Sequence, residues 1–300
     1  MIHKHYPFVL TLVAINKNTF NECYVSIQNI FIERNITIRY VKKLSRYVVD
    51  IYFNCQPTEY DNMKNNIYLL KNKADLLIQK VENRKKHLLA CDMDMTIINV
   101  ETINLINDNL LKNSEVSNIT EKAMSGNINF KDSIIARTKL LKGINKKDIL
   151  KLIKNITINK GVRSVIKTMN KYGYHTMLIS GGYDIIAETI GKKIGFKEVK
   201  SNSLEIINNK LSGNIKSTIL DKKGKLFHIK NTIKKYNIKK EMTIAVGDGD
   251  NDLEMIKFAG LGIGWNAYPK VKKIADTSIG QRFKSILYFQ GYSDKDIISN

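Results

Sequence analysis

Three hundred residues exceed the size at which one hydrophobic core is usual, and 43% hydrophobic residues with charges of both signs describe a globular chain of about two domains. The longest apolar runs, such as Phe8 to Ile15, fall short of the roughly 20 residues a spanning helix needs, no secretory signal is evident, and three cysteines without a C-x-x-C pair speak against a disulfide framework or structural zinc. The formal charge of +21 raises nucleic acid as a partner, but the lysines are spread along the chain and read as the solvated surface of a cytoplasmic protein with neither nucleic acid nor membrane as partner.

Residues 8 to 15 predict a strand and Thr19 to Arg34 a helix. Two β-rich runs follow, Ile36 to Val41 and Tyr47 to Phe53, separated by the polar turn Lys42-Lys43-Leu44-Ser45-Arg46. A helix from about Glu59 to Lys71 and a strand over Asp75 to Val81 complete a βαββαβ order, which implies a small α+β sheet with helices on one face. No charged constellation or glycine-rich loop interrupts residues 1–85, so they read as a packing module, with a homodimer through this domain as one use. The charged run Glu82-Asn83-Arg84-Lys85-Lys86 marks the boundary to a second domain, residues 86–300.

That domain opens on the most informative stretch of the chain, His87 to Thr96, where a short apolar run ends in Asp92, Asp94 and a threonine. Such a run reads as a strand buried on both faces. Ligands of open α/β sheets bind outside the carboxyl ends of the strands, and residues two apart on a strand point to one side, so both carboxylates reach one ligand. Clustered carboxylates need a cation or a shared proton. From Thr102 to about Asn155 the periodicity is helical with no convincing strand, a helical insertion placed to act as a lid. Strand and helix then alternate: His175 to Ile179 before Ser180-Gly181-Gly182, Met242 to Val246 before Gly247-Asp248-Gly249-Asp250-Asn251-Asp252, and further strands at Leu261 to Gly264 and near Thr277 to Ile279. This alternation predicts an α/β fold with a parallel sheet. Three strand ends thus offer carboxylates, small donors and glycines suited to Mg²⁺ and a phosphate.

The strings DMDMTIINVET, SGG, GKLFHIK and GDGDNDLEMIKFAGLGIG resemble, in order, the four motifs of the haloacid dehalogenase (HAD) superfamily, and in particular its phosphoserine phosphatase family. The likeness runs from roughly Lys86 to the carboxyl terminus, through MSGNINFKDSIIARTKLLKG, AYPKVKKIADTSI and LYFQGY. The preceding βαββαβ module resembles the ACT-like domain of many bacterial members. The resemblance implies a HAD-like doubly wound parallel sheet with a helical cap at about residues 102–157. It implies Mg²⁺-dependent hydrolysis of O-phospho-L-serine, the last step of serine biosynthesis. It makes Asp92 the nucleophile that takes the phosphoryl group, Asp94 the acid and base, and Lys225 the neutralising cation beside them. Mg²⁺ would be held by Asp92, Asp248 and the main-chain carbonyl of Asp94, with Asp252 in support. Ser180, the Gly181 N–H and Asn251 would meet the substrate, Glu101 its ammonium, Arg137 its carboxylate, and Met124 and Phe130 would shape an apolar wall.

Three positions depart from the family pattern: Met95 in place of a small hydroxyl residue, Asp250 in place of a small residue, and Asn159-Lys160-Gly161 in place of a proline-glycine turn. Two other readings stay open on sequence alone. One is a phosphotransferase that passes the phosphoryl group to an alcohol such as homoserine, and the other a basic nucleic-acid binder with a degenerate phosphatase core.

Overall fold

Two sheets organise the chain in the computed structural model, which describes residues 7–124 and 127–299. Strands β1 (Phe8–Val13), β2 (Ile38–Ser45), β3 (Val48–Phe53) and β4 (Asp75–Lys80) form an antiparallel sheet in the order β2-β3-β1-β4. Strand alternation sorts its side chains between two faces. On one, Leu10, Leu12, Ile51, Phe53, Leu76 and Ile78 pack against Cys23, Ile27 and Phe31 of the helix Lys17–Glu33 and Met63 and Ile67 of the helix Pro57–Tyr68. The first helix begins where the Asn16 side chain accepts from the Thr19 N–H at 2.9 Å.

One local expectation is corrected here. The residues read as a turn, Lys42 to Ser45, continue β2, and the reversal is confined to Arg46 and Tyr47. β2 is an edge strand exposed along most of its length, so it carries no inward-outward alternation from which a strand could be read. Its lysines suit an edge that must not recruit a further strand. The charged run before the second sheet is itself packed, since Arg84 and Lys86 are buried. The Arg84 guanidinium donates to both Asp50 carboxylate oxygens, at 2.7 and 2.8 Å, to Thr11 Oγ1 at 2.9 Å, and to the carbonyls of Phe289 and Tyr288 at 2.7 and 3.0 Å. It therefore stitches the second face of the antiparallel sheet to the helix Ser285–Phe289. Asp75 makes a second stitch, accepting from the N–H groups of Gly280, Gln281 and Arg282 and from Ser285 Oγ.

The second sheet holds β5 (Leu88–Cys91), β6 (His175–Tyr183) and β7 (Glu198–Asn202); after a hairpin of β8 (Leu204–Ile207) and β9 (Lys210–Ile215) it continues with β10 (Thr243–Gly247), β11 (Leu261–Trp265) and β12 (Thr277–Ile279). The order is β12-β11-β10-β5-β6-β7 and every pairing is parallel. Both faces are apolar. Leu89, Cys91, Leu178, Ile244 and Val246 face one core with the helices Val162–Lys171 and Asp184–Ile194. Leu88, Ala90, Met177, Ile179 and Ala245 face the other, with Ile229, Met255, Ile256 and Val271. This is a doubly wound α/β fold whose chain order reverses beside β5, between β5 and β10, the position where such sheets bind ligands.

The insertion after β5 is helical as expected: Thr102–Ile106 running into a π-helical turn over Asn107–Leu111, then Ser114–Met124, Phe130–Leu140 and Lys146–Lys154. Its two connections to the core lie side by side. Ile98 and Ile158 form an antiparallel bridge, the Asn159 N–H donates to Ile97 O at 2.9 Å, and Asn159 Nδ2 donates to Thr96 O at 2.8 Å. Asparagine thus gives this family position a side-chain tie between the two cap connections. The hairpin β8–β9, for which the sequence offered no expectation, joins the cap through Leu211 N to Ile144 O at 2.9 Å and Gly143 N to Leu211 O at 2.8 Å. Among the described residues no helix is long and apolar enough to cross a membrane.

Candidate active site

The carboxyl ends of β5, β6 and β10 lie next to one another, and each delivers a polar side chain to one point. Asp92 follows β5 directly, its N–H donating to Val246 O at 2.9 Å, so the backbone pairing of β5 with β10 carries on into the site. Asp248 follows β10, and Asp252 returns to it through a short 3-10 turn over Asp250–Asp252. Asp252 Oδ2 accepts from the N–H groups of Asp248 and Gly249 at 3.1 and 3.3 Å. A Cβ on Gly247 would lie 2.3 Å from Asp252 Cγ, so glycine is what lets this carboxylate fold back against the strand end.

Lys225 completes the cluster. It sits in the first turns of the helix Lys222–Lys235, whose start is capped by Asp221 accepting from the Gly224 N–H at 2.8 Å. Its fully buried ammonium donates to Asp252 Oδ1 at 2.6 Å and to Asp92 Oδ1. Burial works against the charged lysine, but the Asp252 and Asp92 carboxylates outweigh it and hold its pKa above the ordinary value. Burial and the nearby Asp252 push Asp92 well up against the pull of Lys225. Asp248 is pushed up to about 7 by burial and by Asp252, although Thr96 Oγ1 donates to it at 3.1 Å. One ammonium among three carboxylates leaves an excess of negative charge. Oxygen atoms of Asp92, Asp248 and Asp252 lie within 4.8 Å of one another, a donor set of hard oxygens that fits a divalent cation.

Asp94 is brought beside this cluster but turned differently. Its Oδ2 accepts from Thr102 Oγ1 at 2.8 Å and more weakly from the Thr102 N–H at 3.4 Å, while Oδ1 is buried and without a hydrogen-bond partner among the described residues. Burial, then the charge of Glu101, push this carboxyl up to about 7. Glu101 is itself raised by burial, with Arg137 the chief charge pulling it back. Arg137 is half-buried on the helix Phe130–Leu140, and its Nε donates to Ser133 O at 3.3 Å.

The second motif differs from its expected form. Ser180-Gly181-Gly182 makes no turn: β6 stays extended through Tyr183, with an irregular register against β7, and the following helix begins at Asp184. The glycines serve close approach. A Cβ on Gly181 would lie 2.8 Å from Phe130 Cζ, which puts this cap phenyl ring directly over the strand end. Ser180 is buried, and its Oγ accepts from the Gly182 N–H at 2.9 Å. Asn251 is half-buried in the turn beside Gly249. The Met124 side chain lies outside the described residues. Asp250 turns outward to pair with Lys270 on the surface, so its charge is spent away from the carboxylate cluster. Met95 holds a left-handed φ of 56° with its side chain partly exposed.

Sequence reasoning missed Thr102 and Asn202. The fully buried Asn202 donates from Nδ2 to Gly181 O at 2.8 Å and accepts the Leu220 N–H at Oδ1 at 2.7 Å, clasping the second-motif strand to the segment that leads into Lys225. Nothing local distinguishes it from the many other asparagines of this chain.

A capped, doubly wound α/β fold with clustered carboxylates and a buried lysine at its strand ends defines an enzyme core built to handle an anionic group together with a cation. The chain belongs to the haloacid dehalogenase-like hydrolases, which match it over residues 89–257. It is 32% identical over 303 residues to the phosphoserine phosphatase of Saccharomyces cerevisiae, covering 97% of this chain and 98% of that protein. It is 35% identical over 199 residues to the phosphoserine phosphatase of Archaeoglobus fulgidus, covering 66% of this chain but only 58% of that longer relative. Among solved structures, a HAD family hydrolase from Salmonella enterica serovar Typhi is similar with a TM-score of 0.81 at 25% identity, over 94% of this chain and 98% of that one. A phosphoserine phosphatase holding an analogue of a phospho-aspartyl intermediate is similar with a TM-score of 0.63 at 36% identity, over 68% of this chain and 99% of that one.

Proposed function

We propose that this protein is a Mg²⁺-dependent phosphoserine phosphatase, which hydrolyses O-phospho-L-serine to L-serine and phosphate, the closing reaction of serine biosynthesis in the cytoplasm. The observation that carries this reading is the meeting of Asp92, Lys225, Asp248 and Asp252 at one sheet edge beneath a cap that brings Glu101 and Arg137. The similarity to phosphoserine phosphatases at 32% and 35% identity supports the substrate. The chain divides in this account near residue 85 into an antiparallel-sheet domain and the phosphatase domain.

Asp92 attacks phosphorus through a carboxylate oxygen, the bond from phosphorus to the seryl oxygen breaks, and Asp94 gives that oxygen its proton. Asp94, now ionised, takes a proton from the water that attacks the aspartyl phosphate, releasing phosphate and restoring Asp92. A carboxyl pushed up to about 7 suits both halves of this task near neutral pH. Lys225 holds Asp92 in place and offsets charge on the phosphoryl group, and Ser180 with the Gly181 N–H donates to the phosphoryl oxygens. Asp92 and Asp248 with the Asp94 carbonyl would hold Mg²⁺, Asp252 supporting them. When bound, the cation supplies the positive charge that lets one anion approach another. Arg137 forks onto the substrate carboxylate, Glu101 receives its ammonium, and Phe130 with Met124 closes the apolar side, while Asn251 borders the phosphoryl end.

The test is phosphate release from O-phospho-L-serine, O-phospho-L-threonine and sugar phosphates, with and without Mg²⁺. Preference for phosphoserine that disappears on chelation is expected. Faster turnover of a sugar phosphate, or serine formed only when homoserine is supplied, with phosphohomoserine appearing in place of free phosphate, would replace this reading.

A further inference from the structure

We infer that Thr102 is a positioning residue that aims the Asp94 carboxyl at the leaving-group oxygen and links that aim to the root of the cap. The inference rests on the phosphatase reading given above. Thr102 is almost fully buried, so its hydroxyl is not spent on solvent. Its Oγ1 donates to Asp94 Oδ2 at 2.8 Å, and its own N–H, the first of the cap helix Thr102–Ile106, reaches the same oxygen at 3.4 Å. One carboxyl oxygen is thereby anchored. The other, Oδ1, is buried and has no partner among the described residues, an orphaned polar atom that a substrate oxygen would satisfy.

The strand end behind this pair leaves little room for another arrangement. A Cβ on Gly182 would lie 3.5 Å from Thr102 Oγ1 and 3.6 Å from Asp94 Oδ2, so the carboxyl and the hydroxyl are packed together against β6. Thr102 also follows Glu101, the residue that faces the substrate ammonium, so a shift of the cap that moves Glu101 also moves the anchor of Asp94. A side chain held within a narrow angular range by a buried partner is what proton transfer in a transition state requires.

The consequence is specific to the leaving group. In phosphoserine the departing alkoxide needs a proton as its bond to phosphorus breaks, whereas a nitrophenolate departs without one. Because kcat/KM reports the steps through departure of the leaving group, the two esters separate positioning of Asp94 from general support of the fold. Thr102→Val keeps the shape and removes the hydroxyl. It should lower kcat/KM for phosphoserine by about 10- to 100-fold, and for 4-nitrophenyl phosphate by less than about threefold, with Thr102→Ser restoring most of the loss. Equal declines on both esters, or no decline on phosphoserine, would overturn the inference. Failure of the substrate reading shows instead in the wild-type protein, as 4-nitrophenyl phosphate turnover without phosphoserine turnover. The alkyl phosphate that is then accepted takes the place of phosphoserine in the same comparison.

Discussion

Lys225 Nζ lies 2.6 Å from Asp252 Oδ1, with both side chains removed from solvent, and the same ammonium also reaches Asp92. One buried cation therefore serves two buried anions, and its removal leaves both uncompensated. Breaking a buried pair by deleting one partner costs about 3–5 kcal/mol. Lys225→Met is expected to lose stability of that order in denaturant unfolding and to lower turnover at least about 100-fold, the scale of losing one donor to a transition-state charge. A variant with unchanged unfolding would show that the two carboxylates are protonated in the folded protein and do not depend on the lysine.

The metal and the proton compete for the carboxylate of Asp248. Asp94 and Asp248 are raised to about 7 by burial and neighbouring charge, whereas in the unfolded chain they titrate near about 4. A carboxyl raised in the folded state binds more protons there than in the unfolded state between those two values. The metal-free protein should therefore lose stability as pH rises from about 4 to 7 and regain it on acidification. Mg²⁺ relieves the same repulsion, so its increase of Tm should be larger at pH 8 than at pH 6. Thermal unfolding at both pH values with and without Mg²⁺ checks this, and a larger Mg²⁺ effect at the lower pH would contradict the linkage.

Selectivity is placed on the cap. Phosphoserine differs from a plain phosphate ester by its ammonium and carboxylate, which in the proposed reading Glu101 and Arg137 receive. Losing one partner of a water-excluded charge pair costs about 2–5 kcal/mol. Arg137→Ala should lower kcat/KM for phosphoserine by roughly 30- to 5000-fold and affect an aryl phosphate without a carboxylate far less. The same loss on both substrates would assign Arg137 to cap folding instead.

The Arg84–Asp50 pair makes a prediction away from the site. Arg84→Met strands a fully buried Asp50 and removes the donors to the Phe289 and Tyr288 carbonyls, so it should destabilise by about 3–5 kcal/mol. Replacing Asp50 by Leu in the same chain should recover part of that loss. Urea unfolding of the two single variants and the double variant measures the coupling, and strictly additive losses would show that the pair is not the stitch between sheets.

What could be read in advance follows from how local each signal is. β5 and β10 are buried on both faces and end abruptly in carboxylates, so a few adjacent residues announced both the strand and the site. β7, β8 and β9 escaped because their half-exposed residues mix polar and apolar side chains without clean alternation. The strand was expected to stop at Ile179, before Gly181-Gly182, whereas it runs on and Phe130, about fifty residues earlier in the chain, sets the demand for a missing side chain. The role of Arg84 within the charged boundary run could not be read because its partners Asp50 and Phe289 are remote in sequence. Thr102 and Asn202 act through a pair of hydrogen bonds each to groups in other elements, which no periodicity records.

The covalent role of Asp92 is the centre of this account, and trapping the phosphoryl group on the protein tests it most directly. Asp94→Asn retains the nucleophile but lacks the base that activates water, so acid quenching after reaction with a radiolabelled aryl phosphate should leave label on the chain, removable by hydroxylamine as an acyl phosphate is. Asp92→Asn under the same conditions should carry none. Label of equal amount on Asp92→Asn, or label on Asp94→Asn that resists hydroxylamine, would place the phosphoryl group on a different residue and contradict the mechanism.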